Sequence, residues 1–419
     1  MALARRLLLA LTLVCGALAG PRAALAQVDL ISSETVHGVA DVRLSAADGE
    51  PSFTDGGFGK SRYGGTAGGG YQGRIELGEA ALEWTPRLNW VWSAVIDAGY
   101  QPDQEHPIDL YQAYIAFKPV PTSDTRFSAR FGYFYPPISL EHDARVWGVT
   151  DTITPSAINS WVGEEVKVVG AEATVSRDFA GQSLAATGAV FGYDDTAGTL
   201  IAFRGWALHD LKSQANGNFV LPPLPPDIAD DQDSETYSTL EIDHRAGFYG
   251  KLQWRPAQPL MVEALYYDNR GDGTAVTPDE QWSWATHFTD IGASLQLDEH
   301  TRILAQALAG RTRIGPTSQP YVDVVFSAAY ALVTRDIGKG ALTGRLDLFQ
   351  TSDHAPLPLT GEGERGWALT GAWRYPLTDL LDLRLEAMRI ESTRPSRILA
   401  GEPAHQVQTV LQSSLRLSF

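Results

Sequence analysis

The segment from residue 135 to residue 164 carries charges of both signs. Its candidate carboxylates are Glu141, Asp143 and Asp151, and Arg145 adds a guanidinium in the same stretch. Fixed charges of opposite sign that face each other across a narrow, water-filled passage create a transverse field, which orients dipolar solutes and acts on ions. Chemistry of this kind needs neither a nucleophile nor a metal. We therefore interpret these four residues as candidates for lining a constriction.

Three arginines elsewhere are the expected counter-charges. Arg43, Arg126 and Arg130 stand on the polar side of segments in which apolar and polar residues alternate. We predict that they face the carboxylates of 135–164 across the passage. The alternative interpretation makes 135–164 a solvent-exposed lid whose charges form salt bridges.

Other kinds of site find little support in the sequence. The nine histidines show no HExxH spacing, and neither a GxSxG elbow nor a Walker loop occurs, so we expect no enzyme and no cofactor. The segment DNRGDG (268–273) is similar to a calcium loop, but Arg270 stands where an oxygen ligand is needed. A hairpin loop is favoured there. The acidic segment 227–243 is interpreted as a solvated loop, so no metal site is predicted.

The beginning of the chain indicates export. Arg5 and Arg6 precede an apolar run that ends in the small residues ALA at 24–26, so residues 1–26 are interpreted as a cleaved signal peptide. The single cysteine, Cys15, leaves with it. Removing the leader's three arginines leaves 30 basic residues against 50 acidic ones in 27–419. A nucleic-acid partner is not expected for so acidic a chain.

The elements that must position these charges are strands. No run of about 18 apolar residues follows the leader, so no transmembrane helix is expected, whereas a transmembrane strand needs only about 9 to 11 alternating residues. The predicted strands are 34–45, 73–84, 88–100, 109–118, 125–134, 165–176, 182–193, 244–255, 258–268, 283–297, 301–312, 322–335, 341–351, 365–375, 380–391 and 407–419. The predicted fold is therefore all-β: a closed antiparallel transmembrane β-barrel of about 16 strands, with 18 as the alternative.

The connections between these strands alternate in length. The short ones are 85–87, 118–124, 177–182, 255–259, 298–300, 335–340 and 376–379. The long ones are 46–72, 135–164, 194–243, 269–282, 352–364 and 392–406. Short turns at one rim and long loops at the other are typical of outer-membrane barrels. The segment 199–210 also looks strand-like, but counting it would reverse this alternation, so we place it inside loop 194–243.

Residue types also sort onto two faces. In 341–351, Leu346 and Leu348 alternate with Arg345 and Asp347, which predicts a lipid-facing side and a watery side. Aromatic residues at strand ends predict two interfacial girdles. The members near the short turns are Trp84, Phe117, Trp254, Trp373, Tyr375 and Phe419, and those near the long loops are Tyr100, Phe134, Tyr193 and Tyr267. The last strand, which ends on Phe419, is predicted to pair with 34–45 and so close the barrel.

Two features resemble known families. The alternating C-terminal strand that ends in Phe419 resembles the signal by which the barrel assembly machinery recognises outer-membrane proteins of Gram-negative bacteria. The segments FGYFYPPISLEHD (131–143) and SAINSWVGEE (156–165) are similar to the region of the inward-folded third loop in the phosphate-selective porin O and P family. This resemblance implies a porin for ions and small hydrophilic solutes, with loop 135–164 as the constriction. The chain departs from that family in its six lysines, none of them clustered in this loop.

The expected setting follows from the same resemblance. We expect a protein of the outer membrane that contacts lipid and lipopolysaccharide, with a homotrimer and an anion or phosphate preference as further implications. A receptor with an N-terminal plug is not expected, because the first strand begins close to the predicted cleavage site. The alternative function is a non-conducting barrel with a structural or adhesive role, for which loop 194–243 would supply the material.

Overall fold

The wall of the molecule is one closed antiparallel sheet. The computed structural model describes residues 28–66, 68–101, 104–226, 228–356 and 363–419, so the predicted signal peptide lies outside the described residues. The sixteen strands of the wall are β1 (Val36–Ala47), β2 (Gln72–Trp84), β3 (Trp92–Tyr100), β4 (Ile108–Phe117), β5 (Thr125–Phe134), β6 (Val168–Phe179), β7 (Gln182–Gly192), β10 (Gly247–Arg255), β11 (Leu260–Asp268), β12 (His287–Gln296), β13 (Thr301–Ile314), β14 (Val322–Ile337), β15 (Gly340–Asp353), β16 (Glu364–Pro376), β17 (Leu381–Thr393) and β18 (His405–Ser418). Two further short strands, β8 (Asn218–Val220) and β9 (Glu235–Tyr237), pair with each other inside the long loop between β7 and β10.

Pairing between the first and last strands closes the sheet. β1 and β18 run antiparallel from Val39 opposite Ser418 to Ala47 opposite Val410. Beyond β18, Gly38 and Phe419 exchange two backbone hydrogen bonds, of 3.0 and 3.1 Å. Closure removes the free edges that the first and last strands would otherwise expose to hydrocarbon. The predicted closed barrel of 16 strands is confirmed.

The α-helices of the described residues are short. They are α1 (Ala157–Val162) and α2 (Gly198–Phe203), and three 3-10 helices accompany them, Phe53–Asp55, Arg145–Trp147 and Pro395–Ala400. Within the described part of the chain, no helix has the length and apolar character that crossing a membrane would require. Residues 199–210, which the alternation of loop lengths placed outside the wall, form most of α2 and the extended segment after it, and α2 packs against β13 and β14.

The two faces of each strand differ as the alternation predicts. Leu346 and Leu348 of β15 are about half exposed on the outside, whereas Arg345 and Asp347, between and beside them, are buried in the interior. The girdle prediction is wrong for Phe134 and Tyr267, which are fully buried. Both belong to an aromatic and aliphatic cluster that fills part of the barrel interior, hereafter the lumen.

Much of the lumen is occupied by two chain segments. Residues 135–164, the inner loop, and residues 196–218, the second inner segment, are mostly buried. Trp161 of α1 lies at their junction, with ring centroids 5.9 Å from Trp206 and 5.0 Å from Phe326 of β14. This part of the lumen is therefore dry and well packed rather than filled with water.

The contact between Phe419 and Gly38 predicts an assembly defect. The Phe419 ring lies directly over Gly38, where a side chain on residue 38 would collide with it. Phe419→Ser removes this apolar contact where β1 and β18 close the barrel, so we expect less folded barrel in the outer membrane with unchanged export. Heat-modifiable migration on gels measures the folded fraction. Leu377→Ser, in an exposed short turn, is the matched control, and equal yields from the two variants would contradict the prediction.

Candidate functional site

The inner loop crosses the lumen and touches strands on several sides. The carbonyl oxygen of Pro137 accepts a 2.7 Å hydrogen bond from Lys251 of β10. The backbone N–H of Ala157 donates to Asp347 of β15 at 3.0 Å. Arg145, at the tip, reaches Glu83 of β2 at 3.2 Å. The loop is thus fixed to the wall at widely separated strands instead of lying over the rim as a lid.

Arg345 of β15 is the principal anchor of the inner loop. Its fully buried guanidinium donates to Asp347 at 2.8 Å and to Glu141 at 3.2 Å. It also donates to the carbonyl oxygens of Thr154 and Pro155, at 2.7 and 3.0 Å. The planar fork of arginine suits this set of acceptors, because its donors are fixed in direction. Two separate stretches of the loop are thereby held by one side chain.

Stacked rings support the tip of the loop. Trp147 lies parallel to Tyr135 and His142, with ring centroids 4.8 and 5.3 Å away. Its indole N–H donates to the carbonyl oxygen of Gly163 at 2.7 Å. Val146 and Trp147 both have positive φ, of 56° and 52°, a region that costs β-branched and bulky residues free energy. The stack and the hydrogen bond hold this strained turn in place.

The predicted acidic residues lie within the lumen, but their partners differ from those predicted. Asp143 contacts Arg302 of β13 at 3.1 Å, and Asp151 contacts the same guanidinium. Burial raises the pKa of Asp151, although Arg302 opposes this shift. Glu141 is bound to Arg345, as described above. Neither arginine was among the expected counter-charges.

The three predicted wall arginines have other partners. Arg126 pairs with Asp178 at the short-turn end of the barrel, far along the strand from the inner loop, and is half exposed. Arg130 binds Glu172 of the neighbouring strand at 2.8 Å and reaches the loop only through the carbonyl oxygen of Tyr135. The expected pairing of these side chains with the loop acids is therefore wrong. Cross-strand carboxylates lie closer to them than the loop does.

Arg43 binds the second inner segment instead of the inner loop. It binds Asp41 of its own strand at 2.8 Å and Asp210 of that segment at 2.6 Å. Arg62 also reaches Asp210, at 3.3 Å. Burial alone would raise the pKa of Asp210, but Arg43 and Arg62 outweigh it and hold this pKa well below its usual range. Asp210 is therefore ionised at neutral pH.

A second ionic junction joins the second inner segment to Glu165, the residue that directly follows the inner loop. Arg204 donates to both oxygens of Glu165, at 2.6 and 3.1 Å, and His209 contacts the same carboxylate at 2.7 Å. Burial opposes ionisation of Glu165, yet Arg204 and His209 lower its pKa overall. The inner loop and the second inner segment thus behave as one packed unit.

An open space remains between this unit and the wall formed by β2 and β4. This luminal cavity measures about 670 Å³. Its charged lining residues are Asp55, Arg62, Arg74, Glu76, Glu79, Asp210, Lys212 and Glu235. Within it, Lys212 donates to Glu79 at 2.7 Å, so residues of opposite charge face each other between the second inner segment and the wall. Although burial disfavours the ammonium form, Glu79 raises the pKa of Lys212 overall.

Further charges continue from this cavity toward the short-turn end. Arg416 of β18 contacts the other oxygen of Glu79 at 2.9 Å. Below them on β2, Glu83 meets the partly exposed Arg145. Of this column, the sequence analysis singled out only Arg145. Strict alternation would put Glu76 on the opposite face from Glu79 and Glu83, but the pairing register of β1 and β2 shifts between Asp41 and Val42 and brings all three to the luminal side. Lys212 had no sequence signal, because only the folded loop brings it there.

Comparison with known proteins gives a likeness of fold only. No protein-family model and no curated protein matches the sequence. Among solved structures, the chain is similar to an anion-selective porin from Comamonas acidovorans, with a TM-score of 0.52, 9% identity, and coverage of 92% of this chain and 99% of that one. The chain has a porin-like fold. The outer-membrane channel DcaP of Acinetobacter baumannii gives a TM-score of 0.51 at 11% identity, covering 94% and 100% of the two chains. A loop-deletion mutant of the outer-membrane protein OmpT of Vibrio cholerae gives 0.50 at 11%, covering 92% and 99%.

Removing the anchor of this porin-like barrel predicts a large loss of stability. Arg345→Ala leaves the buried carboxylates of Glu141 and Asp347 without their cation, which costs about 3–5 kcal/mol when one partner of a buried pair is deleted. Urea titration of the barrel in lipid vesicles measures the change. Arg335→Ala removes the exposed pair with Asp298 and should cost no more than about 1 kcal/mol. Similar losses for the two variants would show that Arg345 is not the anchor.

Proposed function

We propose that this chain is an outer-membrane porin through which ions and small hydrophilic solutes diffuse passively. The observation that carries the proposal is the column of opposed charges along β2, which lies inside a closed barrel whose outer face is apolar. Solutes cross between β2 and the unit formed by the two inner segments. The inner loop acts by filling the opposite side of the lumen, which confines water and solutes to this column.

The lining of the luminal cavity supports a preference for cations and dipolar solutes. It carries five carboxylates against three cationic side chains. An excess of one sign along a passage with low-dielectric walls raises the local concentration of the opposite ion. The anion or phosphate preference implied by the sequence resemblance has no comparable support in this lining.

The remaining parts of the proposal concern the cellular setting. The apolar outer face and the porin-like fold support insertion in the outer membrane, in contact with lipid and lipopolysaccharide. The position of Phe419, where β1 and β18 close the barrel, supports recognition by the barrel assembly machinery. A homotrimer is proposed from the sequence resemblance alone.

A second candidate function follows from how much of the lumen is filled. The inner loop and the second inner segment contact β2, β10, β13 and β15 and fill much of the lumen. A barrel closed in this way could have a structural or adhesive role. Single-channel recording in planar bilayers separates the two functions, because a structural barrel would show no unitary conductance.

Neutralising the β2 carboxylates should change ion preference. In Glu79→Gln/Glu83→Gln the column loses two negative charges, so the reversal potential in a potassium chloride gradient should move toward anion preference. Arg126→Ala is the control, because Arg126 pairs with Asp178 away from the column. A reversal potential that stays at the wild-type value in the double variant would mean that ions pass elsewhere.

Shortening the tip of the inner loop should widen the passage. Ala144 and Gly148 are joined by a backbone hydrogen bond of 3.0 Å, so residues 145–147 can be deleted and the ends rejoined with little displacement. The deletion keeps the Arg345 anchor and removes Arg145 from above Glu83. We expect a higher single-channel conductance than the wild type. An unchanged conductance in a correctly folded variant would contradict a constriction at this tip.

A further inference from the structure

The wall is incomplete on one side of β2. β1 pairs with β2 along its whole length, but β3 pairs with it only from Ala81 opposite Gly99 to Trp84 opposite Ile96. Residues 72–80 therefore rise past the end of β3, and no strand among the described residues pairs with them on that side. We call this gap the seam.

The seam exists because the hairpin of β3 and β4 is short and is bound to the second inner segment. Ala215 donates to the carbonyl oxygen of Leu110 at 3.0 Å, and Gln214 donates to that of Gly99 at 3.1 Å. Gln101, just past β3, donates to the carbonyl oxygen of Lys212. The tip of the hairpin is thus tied to the interior of the barrel instead of to β2.

The seam opens into the luminal cavity. The lining of that cavity includes Leu77, Gly78 and Glu79 from one edge and Tyr100 and Gln101 from the other. Leu77 is exposed on the outer face whereas Glu79 is buried in the lumen, so the residues that border the cavity at this edge reach both faces of the wall. An unpaired strand edge in hydrocarbon leaves backbone groups without partners, at a cost of several kcal/mol each. Here the free carbonyl oxygen of Gly78 accepts a 2.9 Å hydrogen bond from Arg62.

The outer rim of the seam is apolar. Leu77 and Ile75 stand opposite Val42 and Leu44 of β1, and all four side chains are exposed on the outer face. Across the gap, Tyr100 and Ile108 are also exposed. An apolar outer rim thus borders a charged interior.

We propose that the seam is a lateral port for single-chain amphiphiles with a cationic head group. The head lies among the carboxylates of the luminal cavity, which outnumber its cationic side chains, and the alkyl chain passes between Leu77 and Tyr100 into the membrane. Transfer of the alkyl chain from water to the apolar rim and lipid drives binding of the amphiphile, with about 0.8 kcal/mol for each methylene group. This inference rests on the proposed function only for the membrane location of the barrel and does not require ion conduction.

Closing the seam chemically tests the port. The only cysteine is Cys15, in the predicted signal peptide, so engineered cysteine pairs react without competition in the mature chain. Leu77→Cys/Tyr100→Cys, bridged by a bifunctional thiol reagent in lipid nanodiscs, closes the seam. The matched control is Trp84→Cys/Ile96→Cys, bridged where β2 and β3 already pair.

The probes are dodecylammonium and ethylammonium, each with a photoreactive group beside the nitrogen. We expect both to label the 210–212 segment of the unbridged barrel, as found by peptide mass spectrometry. Bridging at 77 and 100 should abolish labelling by the dodecyl probe while the ethyl probe still labels, and bridging at 84 and 96 should change neither.

Each other outcome has a defined meaning. The port is overturned if the dodecyl probe labels 210–212 equally with the seam bridged, or if it never labels this segment. Bridging of Leu77→Cys between two barrels, with no dodecyl labelling, would show that a second copy covers the seam and also overturns the port. Dodecyl labelling that depends on the seam in a barrel without potassium chloride conductance would support the port and reject the porin function.

Discussion

The requirement that every backbone group facing hydrocarbon have a hydrogen-bond partner governs this structure. It makes the sheet close on itself, and it explains why the last residue, Phe419, bonds to the residue just after the start of β1. It also bears on the strand edges that extend past a shorter neighbour, which are residues 72–80 of β2 beside β3 and residues 108–112 of β4 beside β5. At the first of these edges, the carbonyl oxygen of Gly78 is bonded by an arginine from the lumen instead of by a neighbouring strand. The closed wall and these unpaired edges are subject to the same rule.

A second requirement acts inside the barrel, where buried charges must be paired. Arg345 with Glu141, Arg204 with Glu165 and Arg43 with Asp210 each join a segment inside the lumen to the wall or to its neighbour. Such pairs repay the cost of removing charge from water only if the geometry is good and the other donors are satisfied. Arg345 meets this condition with five acceptors, the fifth being the hydroxyl oxygen of Thr370. Charge pairing thus sets where the inner segments lie, and the aromatic cluster fills the space between them.

The strands of the wall could be predicted from the sequence, but the side-chain contacts of the interior could not. Alternation and loop lengths gave the sixteen strands and put 199–210 outside the wall, because strand period and loop parity are local properties. The partners of Asp143 and Asp151 were not predictable, since Arg302 looks like any other inward arginine until the loop is folded. Phe134 and Tyr267 were misassigned because an aromatic residue at a strand end can face either side. The short pairing of β3 with β2 also depends on contacts that span over a hundred residues.

The dry aromatic cluster around Trp161 has an electrical consequence for the luminal cavity. This space lies between two media of low dielectric constant. One is the lipid beyond β2, and the other is the packed rings behind the second inner segment. Few water dipoles are then available to screen a charge, so field lines stay within the thin aqueous layer. A single carboxylate such as Glu79 therefore influences the whole cross-section, whereas the same group on the wall of a wide channel would act only nearby.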